Sequence, residues 1–384
     1  MTSIKDVNIY KKRLLIRVDF NVPIKNNKIL SYERIDMSLP TIKYAIKNKA
    51  YVMIMSHLGR PKEGFYEKRY SLSIIVNYLS KKLNVPVHLI SNYIEGNVQL
   101  NCGELFLLEN VRFNIGEKLN NEILSIKYSN LCDVFVMEAF GVAHRKEASN
   151  YGIIKHSKKS CLGFLFDKEI KSIKKIFKNS SKPITAIIGG AKISTKISLI
   201  ESLISKVNNL IVGGGIANTL LVCKGFFLGK SIFEKYKINK IKKIIDNVNL
   251  LLPCDLKVYN LNSKLYSNKL ISDIKKNDQA LDIGKKTINE FCKIIKMSKT
   301  VIWNGPLGKF EDKNCCLGSY KLLKSITENK NIYSVVGGGD TIAVLEKFNL
   351  KNKISYVSTG GGSFLKFISN EELPVVSELR KYSI

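Results

Sequence analysis

The feature that most constrains this chain is a recurring pair: a short, unbroken apolar run followed by a longer stretch with helical spacing. Arg13 to Phe20, Tyr51 to Ser56, Val85 to Ile90, Leu105 to Leu108 and Asp133 to Met137 read as strands, with Leu39 to Asn48 and Ser71 to Leu83 helical between them. Strands apolar at consecutive rather than alternate positions must be covered on both faces, as in a parallel sheet flanked by helices. A long helical stretch, Phe166 to Asn179, is suited to link two domains. Beyond it the theme returns four times as a strand running into glycines: Ile184 to Gly190, Leu210 to Gly215, Ser334 to Gly339 and Tyr356 to Gly362. Val258 and Val301-Ile302-Trp303 mark additional strands. The four units share a strand–glycine–helix pattern but no fixed period. Two α/β domains are expected, a number that 384 residues also suit.

Composition removes several classes. With 45% hydrophobic residues the chain is too apolar for a disordered one. No apolar run approaches the roughly 18–20 residues of a spanning helix, and the first residues lack the apolar segment of a signal peptide. The eight Cys are scattered and form no C-x-x-C, which supports neither zinc nor a disulfide framework; reduced thiols in a cytosol are expected. A net charge of +30 raises nucleic acid as a partner. Yet 62 residues are Lys or Arg and only eight of these are Arg. The Lys clusters, such as 171–175 and 240–243, recur among Ile at helical spacing like solvated faces. Lys, Asn and Ile share A/T-rich codons, so composition alone accounts for the charge, and we expect no specific nucleic-acid partner.

Scarcity makes the Arg informative. Arg17, Arg34, Arg60, Arg112 and Arg145 all fall in the first 150 residues, most of them directly after apolar runs. Planar forks gathered at strand ends suit a phosphate or carboxylate pocket. His57 and His144 stand in the same loops, as donors to an anion or as a general base. In the second half, glycine turns bring backbone N–H groups close to phosphates, and the following helix adds its N-terminus. No intact G-x-G-x-x-G is present, and Gly225 to Ser231 is one residue short of a Walker A loop, so it reads as a structural turn. Lys192 and Lys196 follow Gly189-Gly190 at a separation of i, i+4, which places both on one helix face with a polyanion between them. Asp340 after Gly337-Gly338-Gly339 suits either Mg²⁺ on a polyphosphate or a helix N-cap. Trp303, the only Trp, is expected in the core. No Gly-x-Ser-x-Gly elbow or zinc-protease helix is found.

Six segments, in order, resemble the phosphoglycerate kinase family: Arg17-Val18-Asp19-Phe20-Asn21-Val22-Pro23, His57-Leu58-Gly59-Arg60-Pro61, Glu109-Asn110-Val111-Arg112-Phe113, Gly189 to Lys196, Trp303 to Glu311 and Gly337 to Thr341. The resemblance spans essentially the whole chain. It implies two doubly wound, Rossmann-like parallel-sheet domains joined by a hinge helix: a glycerate-binding domain over 1–168 and a nucleotide-binding domain over 169–370. The tail, 371–384, would pack back onto the first. It implies a cytoplasmic, monomeric glycolytic kinase that transfers a phosphoryl group reversibly between 1,3-bisphosphoglycerate and Mg-ADP, giving 3-phosphoglycerate and Mg-ATP, without a phosphoenzyme.

On the matching positions, Asp19, Asn21, Arg34, His57, Arg60, Arg112 and Arg145 would hold the glycerate. Lys192, Lys196, Asn304, Glu311, Gly338, Gly339, Asp340 and Thr341 would hold the nucleotide, with Asp340 on Mg²⁺. Arg34, Lys192, Gly214 and Gly361 would stabilise the migrating phosphoryl group, the two Gly through backbone N–H donors within Gly213-Gly214-Gly215 and Gly360-Gly361-Gly362. Such chemistry relies on positioning and charge, after a domain closure that expels water. Val142 replaces a usual Thr, Glu138 a usual Asp and Cys254 a common Val; the first two adjoin the expected ligand positions. A nucleotide-sensing module would retain the glycine turns but need neither Arg34 nor Lys192, and a nucleic-acid-binding protein would not produce this motif order.

Overall fold

A computed structural model describes the chain except for residues 96, 97, 179, 180, 236–240, 242, 243, 248, 383 and 384. The Lys cluster at 240–243 and the last residue of the expected helix, Asn179, therefore fall largely or wholly outside the described residues. The chain divides into two units, Met1–Lys171 with Glu372–Ile384, and Ser172–Glu371.

In the first unit the strands are β1 (Arg13–Arg17), a small hairpin β2 (Ile24–Lys25) and β3 (Lys28–Ile29), then β4 (Tyr51–Met55), β5 (Val87–Ile90), β6 (Leu105–Leu108), β7 (Val134–Met137) and β8 (Ser160–Leu162). The main sheet is parallel, in the order β5-β6-β4-β1-β7-β8. Chain order reverses at β1, which pairs with β4 on one side and β7 on the other. Arg17 stands level with Met55 and Met137, so the carboxyl ends of the three strands meet. A crevice at that reversal is where such sheets bind ligands. Leu14, Ile16, Val52, Ile54, Leu107 and Val136 form its buried core. Helix Pro374–Lys381 belongs to this unit: Val375, Val376 and Leu379 are buried, and the Val375 N–H donates to the Ala143 carbonyl.

The second unit contains β9 (Ile184–Ile188), β10 (Asn209–Val212), β11 (Leu250–Leu251), β12 (Asp255–Asn260), β13 (Tyr266–Leu270), β14 (Asp278–Ile283), β15 (Thr300–Asn304), β16 (Tyr333–Gly337) and β17 (Tyr356–Ser358). Its parallel sheet runs β11-β10-β9-β15-β16-β17. The Val258 segment joins a separate antiparallel sheet, β13-β12-β14, which the apolar runs do not announce because Tyr266-Ser267-Asn268-Lys269-Leu270 is half exposed and mostly polar. Trp303 is in the core, 1% exposed, with its indole N–H donated to the Gly305 carbonyl at 2.7 Å. All eight Cys are unpaired. Among the described residues no helix is long and apolar enough to cross a membrane.

Helix Phe164–Lys178 spans the division between the units at Lys171 and Ser172. Its first turn is held by Glu138, whose carboxylate accepts the N–H groups of Leu165 and Phe166 at 3.1 and 3.3 Å and the Thr41 hydroxyl. A carboxylate at a helix start satisfies N–H groups that have no partner within the helix. Glu138 is therefore a buried helix cap. Burial pushes its pKa up to about 8 against these donors. In the folded state Glu138 thus keeps a proton that the unfolded chain has already lost, and folding stability falls as pH rises from about 4.5 to about 8. Glu138→Gln is neutral throughout, so urea unfolding across that range should show the wild type losing stability relative to the variant, by at most about 1.4 kcal/mol per pH unit. A difference independent of pH would remove the buried carboxyl from this role.

Candidate functional site

The first unit gathers its cations around the end of β1. Arg17 is fully buried, and a buried guanidinium requires acceptors on every side. Its Nη1 donates to the Val18 carbonyl at 2.5 Å, its Nε to Ser149 Oγ at 2.9 Å, and its Nη2 to His57 Nδ1 at 3.2 Å. Ser149 passes the interaction on, its hydroxyl donating to Glu117 at 2.5 Å. The π-helical turn Ala148–Gly152 aims that hydroxyl inward. Glu117 is buried, which raises its pKa to about 7, with Arg17 the main opposing influence.

Because a guanidinium nitrogen only donates, His57 Nδ1 must accept, and the ring proton sits on Nε2, 3.9 Å from Asp19 Oδ1. Burial, then Arg17, Arg112, Arg145 and Arg34, push the His57 pKa well below its ordinary value. His57 is thus a neutral donor with its other nitrogen occupied, not a free general base.

Around it, Arg34 pairs with Asp19 at 2.6 Å, and Asn21 Oδ1 accepts the Gly59 N–H at 2.9 Å. Asn110 caps the turn Val111–Phe113, and the Val111 N–H donates to the Ser56 carbonyl, tying the end of β6 to the end of β4. That turn buries Arg112, whose Nη1 donates to the Gly59 carbonyl at 2.7 Å. Glu147 contacts both Arg112 and Arg145 at 3.4 Å. Arg34, Arg112 and Arg145 therefore converge on His57 together with Arg17. Arg60 is different: it is exposed, and among the described residues no hydrogen bond or ion pair joins it to the cluster. Val142 is buried, and its carbonyl accepts the Asn150 side chain.

In the second unit the ends of β9 and β15 are stitched together, with the Gly189 N–H on the Asn304 carbonyl and the Gly190 N–H on the Pro306 carbonyl. Lys196 Nζ lies within this turn, 2.6 Å from the Gly189 carbonyl and 3.3 Å from that of Asn304. Burial lowers its pKa to about 8, with Asp340 opposing. The expectation that Lys192 and Lys196 share a helix face is not met. Lys192 is extended and exposed, a short 3-10 turn Ile193–Thr195 follows, and Lys196 is the non-helical residue before helix Ile197–Ile204. Repulsion between the two ammonium groups is relieved by this break in the helix. Glu234 fixes the turn by accepting both the N–H and the hydroxyl of Ser194.

Gly214 also needs correction. Its N–H donates to the Leu307 carbonyl at 2.8 Å, so the protein itself uses that donor. What the position requires is conformational: φ is +64°, and a Cβ would lie 2.8 Å from the Gly190 carbonyl oxygen. Gly361, with φ +46°, opens helix Gly362–Ile368 at the end of β17. Asn304 is buried, its Nδ2 donating to the Gly337 carbonyl while its Oδ1 has no partner among the described residues. Thr341 accepts the Gly305 N–H, and Gly338 precedes helix Gly339–Lys347, in whose first turn Asp340 stands exposed. Gly190, Gly214 and Asp340 reach a pocket of about 410 Å³ lined also by Gly215, Leu256, Leu307 and Glu311 among others, and Lys196, Asn304, Thr341 and Gly361 are not in that lining. Its wall is largely apolar and its rim charged, which suits a flat ring with a polyanionic tail. Gly225 to Ser231 is an ordinary turn, closed by the Ser231 N–H on the Leu228 carbonyl. Among the described residues no three His, Cys, Asp or Glu gather as a metal site, so Asp340 is a lone carboxylate suited to a cation arriving on phosphates.

Sequence reading did not assign Glu117, Ser149, Glu147 or Glu234. Each acts through a partner distant in the chain, and nothing in its neighbours distinguishes it from a surface residue.

The family model for phosphoglycerate kinase matches residues 4–371. The chain is 48% identical to the phosphoglycerate kinase of Wigglesworthia glossinidia brevipalpis over 99% of its length and 97% of the relative's. It is 48% identical to that of Buchnera aphidicola subsp. Schizaphis graminum, over 99% and 98%. A solved phosphoglycerate kinase from Coxiella burnetii superimposes with a TM-score of 0.93 at 43% identity, covering 99% of both chains. One from Pyrococcus horikoshii OT3 gives 0.83 at 29%, covering 99% of this chain and 98% of that one. Together with the two parallel sheets, these matches show that the chain belongs to the phosphoglycerate kinase family.

Proposed function

We propose that the arginine pocket of the first unit holds 3-phosphoglycerate or 1,3-bisphosphoglycerate, and that the glycine-lined pocket of the second holds Mg-ADP or Mg-ATP. The observation that carries the reading is the convergence of Arg17, Arg34, Arg112 and Arg145 on a neutral His57. Such a site offers forks to a phosphate and a neutral N–H to a hydroxyl or carboxyl oxygen. In the second unit, Lys196 and the open side of Asn304 face phosphates, while Asp340 holds Mg²⁺ on them.

This phosphotransferase moves the 1-phosphoryl group of bisphosphoglycerate to a terminal oxygen of ADP. The bond from phosphorus to the carboxyl oxygen breaks as that to the ADP oxygen forms, and no protein nucleophile or proton is required. The protein contributes positive charge and alignment. Arg34 is held in place by Asp19, and Lys192, on a turn fixed by Glu234, brings a second charge from the nucleotide side. Gly361 supplies backbone N–H to the phosphoryl oxygens, whereas Gly214 acts by allowing close approach. The reading includes a hinge movement that brings the ligands together and excludes water, a cytoplasmic location and a monomer. It treats the Lys-rich surface as solvated charge without a specific nucleic-acid partner.

A coupled assay with 3-phosphoglycerate and Mg-ATP tests the activity directly, and absence of turnover would refute it. Lys192→Ala should lower kcat by about 10²–10³ while leaving ADP affinity nearly intact. A kcat within about threefold of wild type would remove Lys192 from the chemistry. For Lys196 the sign follows from its lowered pKa. The ammonium form binds phosphate and is lost as pH rises through about 8, so ADP affinity should decline across that range with proton uptake on binding. Calorimetry between pH of about 7 and 9 would show the decline, and Lys196→Met should flatten it.

A further inference from the structure

Arg112 and Arg145 are compensated differently from the other cations of the first unit. Arg17 is fully committed to Val18, Ser149 and His57, and Arg34 has a short ion pair with Asp19. Arg112 and Arg145 share one carboxylate, that of Glu147, which is 5% exposed. Its Oε1 is 3.4 Å from Arg112 Nη2 and 3.4 Å from Arg145 Nη1, longer than the 2.7–2.9 Å typical of charge-assisted hydrogen bonds. Its Oε2 is buried with no donor, and Arg112 Nε is buried with no acceptor, among the described residues. The backbone of Glu147 is fixed beside the pair, its N–H donating to Asn150 Oδ1 at 2.9 Å. Two guanidinium groups thus share one carboxylate in a geometry that leaves Arg112 and Glu147 incompletely satisfied. A phosphate, with three oxygens in reach of a fork, satisfies Arg112 Nε and Nη2 together.

We infer that Glu147 is the built-in counter-ion of this clamp, competing with the substrate's 3-phosphate for Arg112 and Arg145 and so holding glycerate affinity down. The inference rests on the glycerate reading of the first unit. Glu147 keeps two like charges side by side in the fold, yet its carboxylate remains a few ångströms from an arriving dianion. That repulsion is felt in the bound complex and favours release of product. Glu147 is a positioning residue, since it acts through the two Arg.

The sign of the effect distinguishes this role from a structural one. If Glu147 serves chiefly to hold the two guanidinium groups in place, its removal lets them leave their positions and weakens binding. As a competing anion, its neutralisation strengthens binding. Glu147→Gln, titrated calorimetrically with 3-phosphoglycerate and separately with inorganic phosphate, should bind both roughly three- to tenfold more tightly. The KM for 3-phosphoglycerate should fall with no rise in kcat, and ADP affinity should not change. Unchanged or weaker anion binding by the folded variant would overturn the inference. If Glu147→Gln does not fold, Glu147→Asp carries the test: its carboxylate is drawn back from the Arg pair and should give a smaller tightening of the same sign, with none counting against it. Arg112→Lys, which removes the fork and retains the charge, serves as the control. If it leaves 3-phosphoglycerate binding unchanged, the pocket assignment itself fails. If it weakens binding while Glu147→Gln does not tighten it, only the counter-ion role fails.

Discussion

A strand buried on both faces of a parallel sheet can offer polar chemistry only at its ends, and both units are organised by that constraint. Leu14, Leu15 and Ile16 are wholly buried, so the polar side chains of β1 stand at its two ends, Arg13 exposed at the amino end and Arg17 at the carboxyl end. In β9 every residue is buried and chemistry begins at Gly189 and Gly190. The helices that cover the sheets close off every other route. What differs between the units is how the chain uses the ends it is left with.

The first unit uses side chains, and so meets the cost of burying charge. Arg17 is balanced partly through Ser149 to Glu117, Arg34 by Asp19, and the Arg112–Arg145 pair by Glu147. The same field forces His57 to be neutral, which fixes its tautomer and makes it a donor at Nε2. None of these features is separable. Removing any one acceptor changes the charge state or direction of the donors around it, because in a low-dielectric pocket an unpaired group is expensive.

Much of this was legible in the sequence, but in a particular way. Leu105 to Leu108 and Tyr51 to Met55 appear as strands because their apolar runs have no alternative to a doubly covered sheet. Arg13 to Phe20 ends early as a strand, at Arg17, because Val18 turns away after donating to the Met55 carbonyl. Of the scarce Arg, Arg17, Arg34, Arg112 and Arg145 gather near His57, Arg17 as a buried scaffold, while among the described residues no hydrogen bond or ion pair joins Arg60 to them. Pairings such as Ser149 with Glu117, separated by 32 positions, are tertiary facts with no local sign. Lys192 and Lys196 misled for a physical reason: their spacing fits a helix, but a helix would stack two ammonium groups, and the chain breaks there instead.

The second unit uses backbone, and this makes its tolerance different in kind. Gly190, Gly214 and Gly305 all have positive φ, and a Cβ at Gly214 or Gly305 would meet the carbonyl oxygen of Gly190 or Gly189, so a side chain there meets backbone rather than a movable neighbour. Charged side chains line the pocket too, among them Lys309, Glu311 and Asp340, with the buried Asp282 beside them. An apolar wall with charged edges is of the kind that accepts a planar ring. The arginine cluster holds charge in balance among side chains. The glycine-lined pocket is shaped chiefly by backbone, whereas in the first unit one carboxylate, Glu147, faces two Arg.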